Sequence, residues 1–137
     1  MRERMPWSIA LVILLLTPLL IAAPTALRTA AHEGVVYTSD QTWSGNMTLD
    51  ENVIIASGVT LTIESGTQLN VTEDVTITMN GDLDIQGTSE SSVEIWGSWI
   101  AETSIQARWQ GFLLNPGSSA NVVNAHISDS RGGFDVE

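Results

Sequence analysis

From Met47 onward the chain runs in short alternations of apolar and polar residues. Met47-x-Leu49, Val53-x-Ile55, Leu61-x-Ile63, Leu69-x-Val71, Val75-x-Ile77-x-Met79, Leu83-x-Ile85 and Val93-x-Ile95 each place apolar side chains two residues apart. That period puts them on one side of an extended chain and predicts half-buried strands. Thr, Val and Ile dominate these runs; their branched Cβ atoms suit strands better than helices. Ala56-Ser57-Gly58, Ser65-Gly66, Asn80-Gly81 and Gly87-Thr88 punctuate them as turns. No stretch after residue 32 carries a sustained helical period with caps. The pattern predicts an all-β domain.

A longer period lies over the short one. Met47, Leu49, Val53, Ile55, Leu61 and Ile63 shifted by 22 positions land on Leu69, Val71, Val75, Ile77, Leu83 and Ile85, six bulky apolar residues out of six. Shifts of 20 and 24 land three and four of the six on such residues, so alternation alone does not explain the match. The offset continues more weakly from Val71 to Val93, Ile55 to Trp99, Leu83 to Ile105 to Ile127, Phe112 to Phe134 and Leu114 to Val136. A repeat of this length predicts a solenoid of about four coils, each covering the apolar edge of the next. Inward Leu61, Leu83, Ile105 and Ile127 would leave Thr60, Asp82, Ser104 and His126 as one outward column, and Thr62, Asp84, Gln106 and Ser128 as another. The rival is an antiparallel β-sandwich, because Asn80-Gly81 between two strands is a strong hairpin signal. A sandwich has no reason to keep one offset through successive strands. In a solenoid, Asn and Gly would instead turn corners in the left-handed region. The register slips between Val93 and Phe112, so Gly97 to Gln110 is expected to form a longer loop or bulged coil.

The first 31 residues read as a separate segment. Arg2 and Arg4 precede an uncharged stretch, residues 7–26, followed by small residues up to Ala31. The layout is that of a secretory signal, and the uncharged stretch is also long enough to anchor the chain in a bilayer. Either role puts the remainder outside the cytoplasm, secreted or on the cell surface. Residues 32–46, polar and Gly-containing, read as a lead-in, and 47–137 as the repeats. The alternating strand Phe134-Asp135-Val136 lacks a following cap, which suggests either further coils in a longer protein or end-to-end association through the open last coil.

Charge narrows the partners. Sixteen acidic residues face five arginines and no lysine, for a net charge of −11. Phosphate contacts need Lys or Arg, so nucleic acid and anionic lipid are disfavoured. A solvated acidic exterior explains the balance, and cation binding, calcium in particular, is the sharper alternative. With no cysteine, disulfides and thiolate metal sites are excluded.

Trp43-x-Gly45, Gly58-Val-Thr-Leu-Thr-Ile-Glu-Ser-Gly-Thr67, Trp109-Gln-Gly-Phe112 and Gly133-Phe-Asp-Val136 resemble the coils of right-handed parallel β-helix proteins of the pectin-lyase-like class. The resemblance spans about residues 43 to 137. It implies a secreted or surface protein of that fold and leaves function open, since one fold hosts many sites. Polysaccharide lyases on this fold combine calcium-binding carboxylates with a basic catalytic residue. Here the basic candidates are Arg108 and Arg131, and no lyase motif surrounds them.

Candidate chemistry is sparse. Trp96, Trp99 and Trp109 on one loop could present a stacking platform to a sugar; alternatively Trp99 continues the Ile55–Ile77 stack and Trp109 covers a coil edge. Asp82 and Asp84, two residues apart on one face, could hold calcium or act as an acid–base pair. Asp82, Ser104 and His126 share the expected column, but vertical order alone does not make a triad. Asp129 and Arg131 would form a surface ion pair. Asn46-Met-Thr48 and Asn70-Val-Thr72 are glycosylation triplets. The expected function is a structural, adhesive or glycan-binding surface module without catalysis of its own. The alternative is a lyase or hydrolase of acidic polysaccharide whose active coils lie mostly downstream.

Overall fold

The computed structural model describes residues 34–136, and among them every regular element is a strand. The chain makes β1 (Val35–Tyr37), β2 (Gln41–Trp43), β3 (Asn46–Leu49), β4 (Val53–Ile55), β5 (Thr60–Glu64), β6 (Gln68–Val71), β7 (Thr76–Met79), β8 (Asp82–Gln86) and β9 (Val93–Gly97). A short hairpin follows, β10 (Trp99–Ile100) and β11 (Ile105–Gln106). The chain then resumes with β12 (Gly111–Leu114), β13 (Ser119–Val123), β14 (Ala125–Ile127) and β15 (Phe134–Val136). Apart from the hairpin, strands are dealt in rotation to three sheets. Sheet A runs β1-β4-β7-β12-β15, sheet B β2-β5-β8-β13 and sheet C β3-β6-β9-β14. All pairings inside these sheets are parallel, and only β10 and β11 pair antiparallel. Stacked parallel sheets visited in rotation are consistent with a β-solenoid and rule out the antiparallel sandwich.

The core lies between the three sheets and follows the alternation. Val53, Ile55, Ile77, Met79 and Phe112 come from sheet A, Leu61, Ile63, Leu83 and Ile85 from sheet B, and Leu69, Val71, Val93 and Ile95 from sheet C; all are fully or almost fully buried. Parallel pairing stacks them like on like: Leu61 on Leu83, Ile63 on Ile85, Leu69 on Ile95. Aromatic packing takes over lower down. Phe112 stacks on Phe134 with centroids 5.1 Å apart, and Trp109 meets Phe112 edge-on at 5.4 Å. Thr67 is the single buried polar side chain among the core positions, and its hydroxyl donates to Glu64 O at 2.6 Å.

The repeat is real but its length is not constant. The offset of 22 holds for Met47 to Leu69, Leu61 to Leu83, Ile63 to Ile85, Phe112 to Phe134 and Leu114 to Val136. Sheet A instead pairs Val53 with Ile77 and Ile55 with Met79, a step of 24 rather than onto Val75 and Ile77. Sheet C pairs Leu69 with Ile95 and Val71 with Gly97, a step of 26, so Val93 does not follow Val71. Beyond the hairpin, Leu83 pairs with Ala120 and Ile127 with Ile95; Ile105 sits on the hairpin and stacks under neither. The reason is that each sheet sets its register separately, by bringing apolar side chains to the inner face, while corners take up extra residues at little entropic cost. The segment from Gly97 to Gln110 is the expected insertion, realised as a hairpin. Residues 35–43 are not a lead-in: β1 pairs with β4 and β2 with β5, and Trp43 is in the core. Those strands are three residues each, too short to show a period. The boundary at residue 31 and the uncharged segment 7–26 lie outside the described residues.

Asn80-Gly81 carries the chain from sheet A to sheet B instead of reversing it. Gly81 does not occupy the left-handed region. A Cβ there would land on the carbonyl oxygen of Val59 and crowd that of Ala56, one turn up. Gly58, in contrast, has φ +77° with open space around it. Gly81→Ala should therefore destabilise the domain by about 3 kcal/mol or more through forced backbone separation. Gly58→Ala should cost only about 1–2 kcal/mol, the strain of a left-handed residue. Urea unfolding followed by circular dichroism checks the order; a larger loss for Gly58→Ala would contradict it.

Candidate ligand-binding face on sheet C

With Met47, Leu49, Leu69, Val71, Val93 and Ile95 turned into the core, the alternate residues of β3, β6 and β9 face out. Parallel register arranges them in two columns. One is Asn46, Gln68, Glu94 and His126; the other is Thr48, Asn70 and Trp96. Ser128 extends the second, since its N–H donates to Ile95 O at 2.9 Å. Neighbours in a column lie about 4.8 Å apart, and the columns about 6.7 Å apart along the strand.

Two hollows open on this face. The upper, about 290 Å³, is lined by Asn46, Met47, Thr48, Gln68, Asn70 and Trp96. The lower, about 540 Å³, is lined by Thr88, Ser89, Ser92, Glu94, Asn124 and His126, with Ala125 at its floor. Gln68 of the upper and Glu94 of the lower are register partners, so the hollows adjoin. Two hydroxyls fix the polar groups: Ser98 Oγ donates to Asn70 Oδ1 at 2.8 Å, and Ser92 Oγ donates to Glu94 Oε1 at 2.7 Å. The result is a partly exposed indole beside three carboxamides. A carboxamide both donates and accepts, and an indole offers a broad apolar face, which together match the hydroxyls and C–H face of a pyranose. The lining holds one carboxylate and one imidazole but no Lys or Arg.

The three tryptophans do not form one platform. Trp109 is fully buried, donating Nε1–H to Ser128 O at 3.0 Å, and so has no face to offer a sugar. Trp99 lies on the hairpin, 61% exposed, and does not continue the Ile55 stack, which passes to Met79. Trp96 alone stands on the sheet C face. Asn46 and Asn70 also lie there, beside the indole. The Thr72 hydroxyl of the second triplet is buried without a hydrogen-bond partner. The uniform offset sets Glu90 beside Gln68 and Ser104 before His126, so the column of Gln68, Glu94 and His126 does not show in the repeat; the step of 22 from Asn46 to Gln68 is its one trace in the sequence.

Asp82 and Asp84 do share a face, on sheet B. Ser119 Oγ donates to Asp82 at 2.6 Å, and Asn121 and Gln86 donate to the two oxygens of Asp84 at 2.9 and 2.6 Å. Among the described residues no three His, Asp or Glu side chains converge as a metal-holding group. The expected column Asp82, Ser104, His126 is dispersed: Asp82 is on sheet B, Ser104 in the hairpin turn and His126 on sheet C. In its place Thr60, Asp82 and Ser119 align, as do Thr62, Asp84 and Asn121. Arg131 pairs not with Asp129 but with Asp74, at 3.1 Å, while Asp129 accepts from Ser128 Oγ. Both partners of that pair are half exposed, so it contributes little. Arg108 is exposed.

The amide donors of Gln86 and then Asn121 hold the Asp84 carboxyl below its ordinary value of 3.8. A depressed carboxyl favours the folded state above that value and loses the advantage as pH falls through its lowered pKa. Carboxyl-detected NMR should place the Asp84 midpoint below 3.8 in the native chain and return it toward 3.8 in Gln86→Ala. An unchanged midpoint in that variant would remove the assigned cause.

No protein-family model, curated protein or solved structure matches this chain.

Proposed function

We propose that the chain is a right-handed parallel β-helix of pectin-lyase-like type, secreted or held at the cell surface, that serves as a structural module binding glycans through sheet C. The observation that carries this reading is Trp96 standing among Asn46, Gln68 and Asn70 on an open, shallow face. Polar, open hollows of this kind suit hydroxyl-rich chains better than compact apolar ligands, which need enclosure. The parallel stack repeats its outward positions every few ångströms, so a linear polymer can be met by successive turns. The uncharged segment 7–26 supports export. Adhesion and scaffolding follow from the same surface when several ligand units are engaged at once.

Isothermal titration against a panel of neutral and charged oligosaccharides tests the reading. Trp96→Ala should weaken binding about tenfold or more, about 1.4 kcal/mol. Trp99→Ala, on the hairpin, should bind like the native chain. Absence of binding across the panel, or equal effects of the two substitutions, would overturn it.

A further inference from the structure

We infer that the sheet C face selects amine-bearing sugars over uronic acids; this rests on the glycan reading above and names its ligand class. The face carries no Lys or Arg to meet a uronate carboxylate, and its one imidazole, His126, stands beside Glu94 as its register partner. Arg131 is engaged by Asp74, and neither it nor Arg108 lines the two hollows. Beyond the face, the described domain is strongly acidic, which repels polyanions at a distance. One carboxylate does line it. Glu94 faces out from β9 two residues before Trp96, with Ser92 Oγ fixing one oxygen at 2.7 Å. The two outward positions lie about 6.7 Å apart on one strand, near enough for a single bound segment to touch both. A segment with one ring stacked on Trp96 leaves Glu94 within reach of an amine on an adjoining unit. The carboxamides of Asn46, Gln68 and Asn70 read hydroxyls in either unit and are indifferent to charge. Discrimination then falls to one ion pair, charge-assisted and partly sheltered in the lower hollow.

Calorimetry with three tetramers tests this: β-1,4-linked glucosamine, its N-acetylated counterpart and galacturonate, at a pH where the amine is protonated and at two salt concentrations. The glucosamine tetramer should bind about three- to tenfold tighter than the acetylated one, and galacturonate weakest. Glu94→Gln keeps an acceptor for Ser92 and should abolish the preference, bringing the glucosamine and acetylated tetramers to the same affinity. Asp82→Asn removes the same charge from sheet B and should leave the preference intact. A preference that survives Glu94→Gln, or that Asp82→Asn reduces equally, assigns the attraction to diffuse charge and overturns the proposal. Equal binding of the amine and acetylated tetramers overturns it while the glycan reading stands. If none of the three binds and no other oligosaccharide does, both fall together.

Discussion

Parallel hydrogen bonding from one turn to the next governs everything else in this domain. A parallel ladder sets residues side by side in the same orientation, so an inward residue must lie on an inward residue and an outward one on an outward one. The inner positions then become continuous apolar stacks such as Leu61 on Leu83 and the Val53, Ile77, Phe112, Phe134 series. The outer positions become polar columns by the same rule. Neither the core nor the surface could be rearranged alone without shifting a whole strand.

The two outer faces use their columns differently. On sheet B the polar groups bond to one another along the column, Ser119 to Asp82 and Asn121 to Asp84, which links adjacent turns. On sheet C the ordering bonds come from the flanks: Ser92 and Ser98 steady Glu94 and Asn70 from just beyond the column. The first arrangement stiffens the stack. The second leaves an indole and carboxamides presented outward on a rigid backbone, where their geometry is set before a ligand arrives. One fold thus devotes one face to holding its turns together and leaves another open for the recognition proposed above.

Most of the architecture was legible from the sequence because alternation and stacking are both written in residue type. Leu61, Leu83, Ile63 and Ile85 announce the inner face of sheet B and its step of 22. The site was less legible because it depends on corner lengths. Ser89 to Ser92 lengthen the turn before β9, which moves Glu94 rather than Glu90 beside Gln68 and sets Trp96 beside Asn70. A polar corner carries no periodic signal, so its length shows only once the strands on both sides are paired. Trp109 was legible as one of two readings, a sugar platform or a coil edge, and its burial against Phe112 decides for packing.

The β10–β11 hairpin enters between β9 and β12 without breaking any ladder: Ile77 still pairs with Phe112, now 35 residues away, where the preceding sheet A step was 24. Chain-closure entropy grows only with the logarithm of loop length, so the added residues cost about 0.3 kcal/mol. Selection on folding therefore acts weakly on that hairpin. It is a slot whose length and outer sequence can change at little cost to the stack, provided that Ala107 still packs against Gly97 at its base.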